Sequence, residues 1–131
     1  MNRLYKILVV EDMEPFAKFV KMRLESLGYT VVGIADNGPL AVSMAEELKP
    51  DLIMMDITLN TSMTGFEAAS NILNWRRIPI IFLTAHTDKE TLRKGKEISH
   101  HDVFLKPFSE EELNAAIQQA IVSNAMTNTL D

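Results

Sequence analysis

Five short apolar runs punctuate the chain. Ile7–Val10, Leu52–Met55 and Pro79–Leu83 are continuous apolar stretches of strand length, the pattern of strands buried on both faces. Thr30–Ile34 is β-branched and reads as a further strand, and Val103–Leu105 as a short fifth one. Between these runs, apolar residues recur at helical spacing. Phe16, Phe19, Val20, Leu24 and Leu27 form one such face, stopped by Gly28. Asn37-Gly38-Pro39 opens a second helix with Leu40, Met44, Ala45 and Leu48 on one face, and Pro50 closes it. Gly65 leads into a third helix with Phe66, Ala69, Ile72 and Leu73 inward. Thr87-Asp88-Lys89-Glu90 and Ser109-Glu110-Glu111-Glu112 fit capping boxes for two more. The helix after Thr87 runs to about Glu97; it has Leu92 alone clearly inward and carries Gly95, so it is expected to be the loosest. The last has a clear stripe of Leu113, Ala116, Ile117, Ala120 and Ile121. From about Asn124 the chain turns polar and reads as a tail that frays or continues into something further.

Strands that alternate with helices form a parallel sheet covered on both sides. Right-handed crossovers leave few topologies. The simplest is a doubly wound five-stranded sheet in the order 2-1-3-4-5, with its switch point between the first and third strands. Ligands of such folds bind beyond the carboxyl ends of the strands, at that crevice.

Composition narrows the class. The 131 residues suit one domain with a single substantial core. There is no cysteine, which excludes disulfides and thiolate zinc sites. A net charge of -5 without a basic cluster argues against direct nucleic-acid binding. The short polar start is unlike a signal peptide, and no apolar run approaches a membrane span. A soluble, cytoplasmic protein is expected.

Polar residues terminate four of the five strands: Glu11-Asp12, Asp56, Thr84 and Lys106. In a parallel sheet these ends share one edge. The pattern therefore brings three carboxylates, a hydroxyl and an ammonium to one shallow site. Taken singly, each has an ordinary reading: Asp12 as a helix cap, Glu11 as a loop acid, Thr84 as a turn residue, Lys106 as a solvated lysine. Asp56 is harder to dismiss, because an uncompensated carboxylate beside a core is costly. Three crowded acids outnumber one lysine and call for a hard divalent cation; magnesium suits carboxylates, waters and a phosphate. A carboxylate so placed can attack phosphorus and form an acyl phosphate once repulsion is screened, and Thr84 can donate a hydrogen bond to a phosphoryl oxygen.

Ile7-Leu8-Val9-Val10-Glu11-Asp12, Leu52-Ile53-Met54-Met55-Asp56-Ile57, Phe82-Leu83-Thr84-Ala85 and Phe104-Leu105-Lys106-Pro107-Phe108, in this order and spacing, resemble the response-regulator receiver family of two-component signalling, over about Lys6 to Val122. The resemblance implies a flavodoxin-like (βα)5 fold. It implies Asp56 as phosphoacceptor, Mg2+ held by Asp12, Asp56, Glu11 and the backbone carbonyl of Thr58, Thr84 as the switch hydroxyl, and Lys106 as the lysine pairing with a phosphoryl oxygen before a commonly cis Pro107. It also implies a sensor histidine kinase or phosphotransfer protein as donor, and a downstream protein partner at the face of the fourth helix, fifth strand and fifth helix. Oligomeric state, a homodimer included, stays open.

Two positions depart from the commonest pattern. Val103 stands where an aromatic switch residue is frequent, with Phe104 reading as core, and the loop between Asp56 and Gly65 is one residue longer, ending in Gly65-Phe66-Glu67-Ala68. Thr58 and His86 fall where family members tune acyl-phosphate lifetime; His86, like His100 and His101, also reads as a plain exposed histidine. Three rival readings share parts of this pattern. A magnesium-dependent phosphatase or phosphotransferase needs a second acid two residues after the nucleophile, where Thr58 stands. A nucleotide or flavin module needs a glycine-rich loop where Glu11-Asp12-Met13-Glu14 stands. A degenerate receiver acting as a scaffold would not need the full acidic set.

Overall fold

The computed structural model describes residues 5–59, 63–84, 89–99, 103–105 and 109–130, with the backbone alone at 96, 99, 103–105 and 125–130. Five strands, β1 (Lys6–Val10), β2 (Thr30–Ala35), β3 (Leu52–Asp56), β4 (Ile80–Thr84) and β5 (Val103–Leu105), alternate with five helices. The helices are α1 (Glu14–Ser26), α2 (Gly38–Leu48), α3 (Gly65–Leu73), α4 (Lys89–Ser99) and α5 (Glu110–Leu130). All strands pair in parallel, in the order β2-β1-β3-β4-β5, which is the doubly wound arrangement expected from the alternation.

Strand alternation divides the core in two. Leu8, Val10, Ile53, Met55, Ile80 and Phe82 face α2 and α3, while Ile7, Val9, Leu52, Met54, Ile81 and Leu83 face α1 and α5. Both faces of the central strands are fully buried, which is why these strands read as unbroken apolar runs. Phe82 meets Phe66 of α3 edge-on, with centroids 5.0 Å apart, a geometry that adds about 0.5–1.5 kcal/mol beyond area burial.

Helix ends follow local chemistry. Asn37 accepts a hydrogen bond from the Leu40 N–H and caps α2. Ser109 and Glu112 form the expected capping box of α5, and Thr64 and Glu67 form another at α3. Gly28 takes a φ of 96° immediately after α1, a conformation open to glycine. The Thr87 cap of α4 lies outside the described residues. In α4, Gly95 is buried, Leu92 is half-buried and Ile98 packs on the core.

Two positions depart from the expected faces, which otherwise hold at Phe16, Val20 and Leu24 of α1 and at Met44 and Ala45 of α2. Phe19 is 38% exposed, and Ala17, Val20 and Leu24 are what α1 buries. Leu40 is likewise exposed, and α2 buries Gly38, Ala41 and Ala45. At these two positions the smaller Ala17 and Ala41 lie against the sheet, and the larger Phe19 and Leu40 are turned outward. Phe19 finds a role at the surface, where the Arg23 guanidinium lies over its ring at 5.1 Å. α5 runs on to Leu130, through residues that read as a polar tail; nothing between Asn124 and Leu130 is a glycine or proline that would stop it.

Candidate functional site

Hydrogen bonds extend two ladders beyond the strands and fix the site's floor. The Glu11 N–H donates to the Ala35 carbonyl at 2.9 Å, and the Ile57 N–H donates to the Leu83 carbonyl at 3.0 Å. Val10 pairs with Met55, and Asp56 with Leu83. Glu11-Asp12 and Asp56 thereby emerge side by side from neighbouring central strands, with Thr84 ending the next one. This is the switch-point crevice of the topology.

The geometry there is tight. One carboxylate oxygen from each of Glu11, Asp12 and Asp56 lies within 4.8 Å of the others. Glu11 is 1% exposed and Asp56 5%, while Asp12 is half-buried at the rim. Thr84 is also buried, at 1%. Ionised carboxylates at such a separation repel by roughly 3 kcal/mol per pair at an effective dielectric constant of 20. The donor set is all oxygen, which fits a hard cation of the magnesium class and not a soft metal. The Thr58 N–H donates to Asp56 Oδ1 at 3.2 Å, so the loop after β3 already orients the central carboxylate.

Of the residues singled out in the sequence, the structure brings together Glu11, Asp12 and Asp56 directly. It sets Thr84 at the end of β4, next to the residue that pairs with Asp56. Lys106 follows β5 by one position but lies outside the described residues, as do Pro107, His86, His100 and His101. The side chains of Val103 and Phe104 lie outside them too. Sequence reading missed the part played by the loop end. Thr64-Gly65-Phe66-Glu67 carries the same Thr-x-x-Glu signature read at the later helices, and it anchors the chain returning from Asp56.

Comparison with known proteins agrees with this fold. The profile of the response regulator receiver domain matches residues 7–118. The transcriptional regulatory protein YdfI of Bacillus subtilis is 34% identical over 122 residues, covering 92% of this chain and 57% of that protein. The chain thus spans about half the length of the curated relatives it matches. The signal receiver domain of a modulated diguanylate cyclase from Desulfovibrio desulfuricans superposes with a TM-score of 0.87 at 35% identity, covering 94% of this chain and 98% of that one. A receiver domain of a sensor histidine kinase from Pseudomonas aeruginosa, solved with a magnesium ion coordinated in its active-site cleft, gives 0.79 at 34% identity, over 89% and 97% of the two chains.

A five-stranded doubly wound sheet with an acidic corner at its switch point, matched over nearly its whole length, defines the class. The chain belongs to the response regulator receiver family of two-component signalling.

Proposed function

We propose that Asp56 is the phosphoacceptor and that Glu11, Asp12, Asp56 and the Thr58 carbonyl hold the magnesium ion that makes transfer feasible. The observation that carries this reading is the convergence of three carboxylate oxygens within 4.8 Å at a buried strand edge. The bound cation supplies charge neutralisation for both the acids and the incoming phosphoryl oxygens. An Asp56 carboxylate oxygen attacks the phosphorus of a phosphohistidine on a kinase or phosphotransfer protein. The new P–O bond forms as the P–N bond breaks, and the imidazole leaves with the electron pair. The Thr58 N–H holds Asp56 in position for that attack. Thr84 donates its hydroxyl to a phosphoryl oxygen, and Lys106 pairs its ammonium with another.

The chain works as a switch and turns over no external substrate. Thr58 stands where an aspartyl-phosphate phosphatase would need a second acid. Engagement of Thr84 biases the adjacent segment and α4, altering the face of α4, β5 and α5 that a downstream protein reads. That bias reaches only as far as phosphorylation stabilises one arrangement over the other. No helix among the described residues is long and apolar enough to cross a membrane.

The test is incubation with a small acyl phosphate and Mg2+, followed by intact-mass measurement. One added phosphoryl group is expected on the unaltered protein and none on Asp56→Asn. Labelling that persists in Asp56→Asn would remove Asp56 from the acceptor role.

A further inference from the structure

The chain that leaves Asp56 comes back against the Asp56–Ile57 backbone at Gly65. The Gly65 N–H donates to the Ile57 carbonyl at 2.9 Å. A Cβ placed on Gly65 would overlap the Asp56 carbonyl oxygen. It would also lie 2.8 Å from Ile57 Cα and 2.9 Å from the Asp56 carbonyl carbon. Side chains do not occupy such distances, and the atoms in the way are backbone, which cannot rotate aside.

Nor can α3 retreat. Its first turn is pinned on three sides. The Thr64–Glu67 capping box holds the helix start. Phe66 is 8% exposed and wedged edge-on against Phe82 of β4, with the Lys94 ammonium 5.2 Å from its ring centroid. Ala68 and Ala69 are fully buried in the same cluster. With the helix fixed, added volume at position 65 must be relieved at Asp56 and Ile57. Those residues carry the acceptor carboxylate and lead directly into Thr58, whose N–H orients Asp56 Oδ1.

We infer that Gly65 is a positioning residue for the acceptor. By lacking a side chain it lets the start of α3 press on the Asp56 backbone and set where the Asp56 carboxylate and the Thr58 peptide sit relative to Glu11 and Asp12. This inference rests on the phosphoacceptor reading above. It runs against local propensity, since alanine forms helix better than glycine. A purely local account therefore expects Gly65→Ala to be harmless or stabilising.

The experiment compares the unaltered protein, Gly65→Ala and Ile117→Val. The last trims a fully buried side chain on the opposite face of the sheet and reports what general core loosening does. Each is titrated with Mg2+ alone by calorimetry and then labelled with a small acyl phosphate. Gly65→Ala is expected to bind Mg2+ at least tenfold more weakly and to label at least tenfold more slowly. Ile117→Val should stay within twofold of the unaltered protein in both, whatever its melting temperature. Gly65→Ala within twofold on both readouts overturns the inference, as does an equal loss in Ile117→Val.

If Gly65→Ala does not fold, amide NMR of the unaltered protein decides. The Gly65 and Thr58 amide signals should move together through the Mg2+ titration with one dissociation constant, and a stationary Gly65 amide overturns the inference. Failure of the underlying reading shows separately, in the unaltered protein and Asp56→Asn. An unaltered protein that neither binds Mg2+ nor accepts a phosphoryl group overturns both.

Discussion

Asp51 precedes β3 and Asp56 ends it, and the sheet uses the two differently. At the amino end, Asp51 accepts the Lys6 N–H through its carboxylate at 2.7 Å, and its own N–H donates to the Lys6 carbonyl at 2.7 Å. That acid closes the β1–β3 ladder through the Lys6 N–H that its carboxylate accepts. At the carboxyl end, Asp56 shares a buried corner with Glu11 and Asp12. Three acids there outnumber the single lysine, Lys106, that the sequence brings to the fifth strand's end. Both acids accept a backbone N–H; what separates them is the crowding of three carboxylates at the carboxyl end, which under the proposed function a cation would relieve.

The comparison breaks most sharply on the metal. Mg2+ at a hundredfold excess over its dissociation constant should stabilise the unaltered protein by about 2.7 kcal/mol, a rise of several degrees in melting temperature. Asp12→Ala should gain nothing from Mg2+ and should not label with a small acyl phosphate. A thermal shift that survives in Asp12→Ala would show that the acidic corner is not where the cation sits.

Asp51→Ala is the counterpart. Losing one partly exposed hydrogen bond should cost about 1 kcal/mol in denaturant unfolding, while labelling and the Mg2+ shift remain as before. Should Asp51→Ala label as poorly as Asp12→Ala, the division of labour between the two ends fails.

A smaller effect is expected at the Arg23–Glu110 ion pair, 2.8 Å long, which ties α1 to α5. Both side chains are substantially exposed. Glu110→Gln should cost about 0.2–1 kcal/mol at low salt and less at high salt, read from denaturant midpoints.

The smallest effects are on pH dependence. Burial raises the Tyr29 hydroxyl above its ordinary value of 10.0, against a lowering hydrogen bond with Gln118 and with a further rise from Tyr5. The unfolded phenol ionises first, so this stabilisation is whole below pH 10.0 and fades as pH climbs through the raised folded value. Alkaline melting curves of Tyr29→Phe should lack that fading. At the acid end, the backbone N–H and the hydroxyl of Ser109 hold Glu112 below its ordinary 4.5. Its contribution is present above pH 4.5 and is lost as pH falls through the lowered folded value. Glu112→Gln should flatten that acid limb, and an unchanged limb would show that the capping box carries none of it.

Much of this molecule is legible in one dimension. The unbroken runs at Ile7–Val10 and Leu52–Met55 announce strands buried on both faces, and Ser109-x-x-Glu112 announces a helix start. Glu11, Asp12 and Asp56 are legible as a site because a parallel sheet sends every strand the same way, so acids at strand ends must share an edge. Phe19 and Leu40 were misleading, because helical periodicity gives a face but not which of two adjacent stripes the sheet selects; Ala17 and Ala41 took those places. Gly65 gave no sign of its closeness to Asp56, because nothing in a local window reports a contact made across a loop.

Hydrophobic period and chain direction are enough for the alternation of strand and helix and for the chemical inventory of the edge, and they narrow the topology to a few. Distances come from the folded core: three carboxylate oxygens lie within 4.8 Å of one another, and Gly65 meets the Asp56 backbone with no room for a methyl group. Proximity between residues far apart in the chain is set by packing of the whole core, which no single segment encodes.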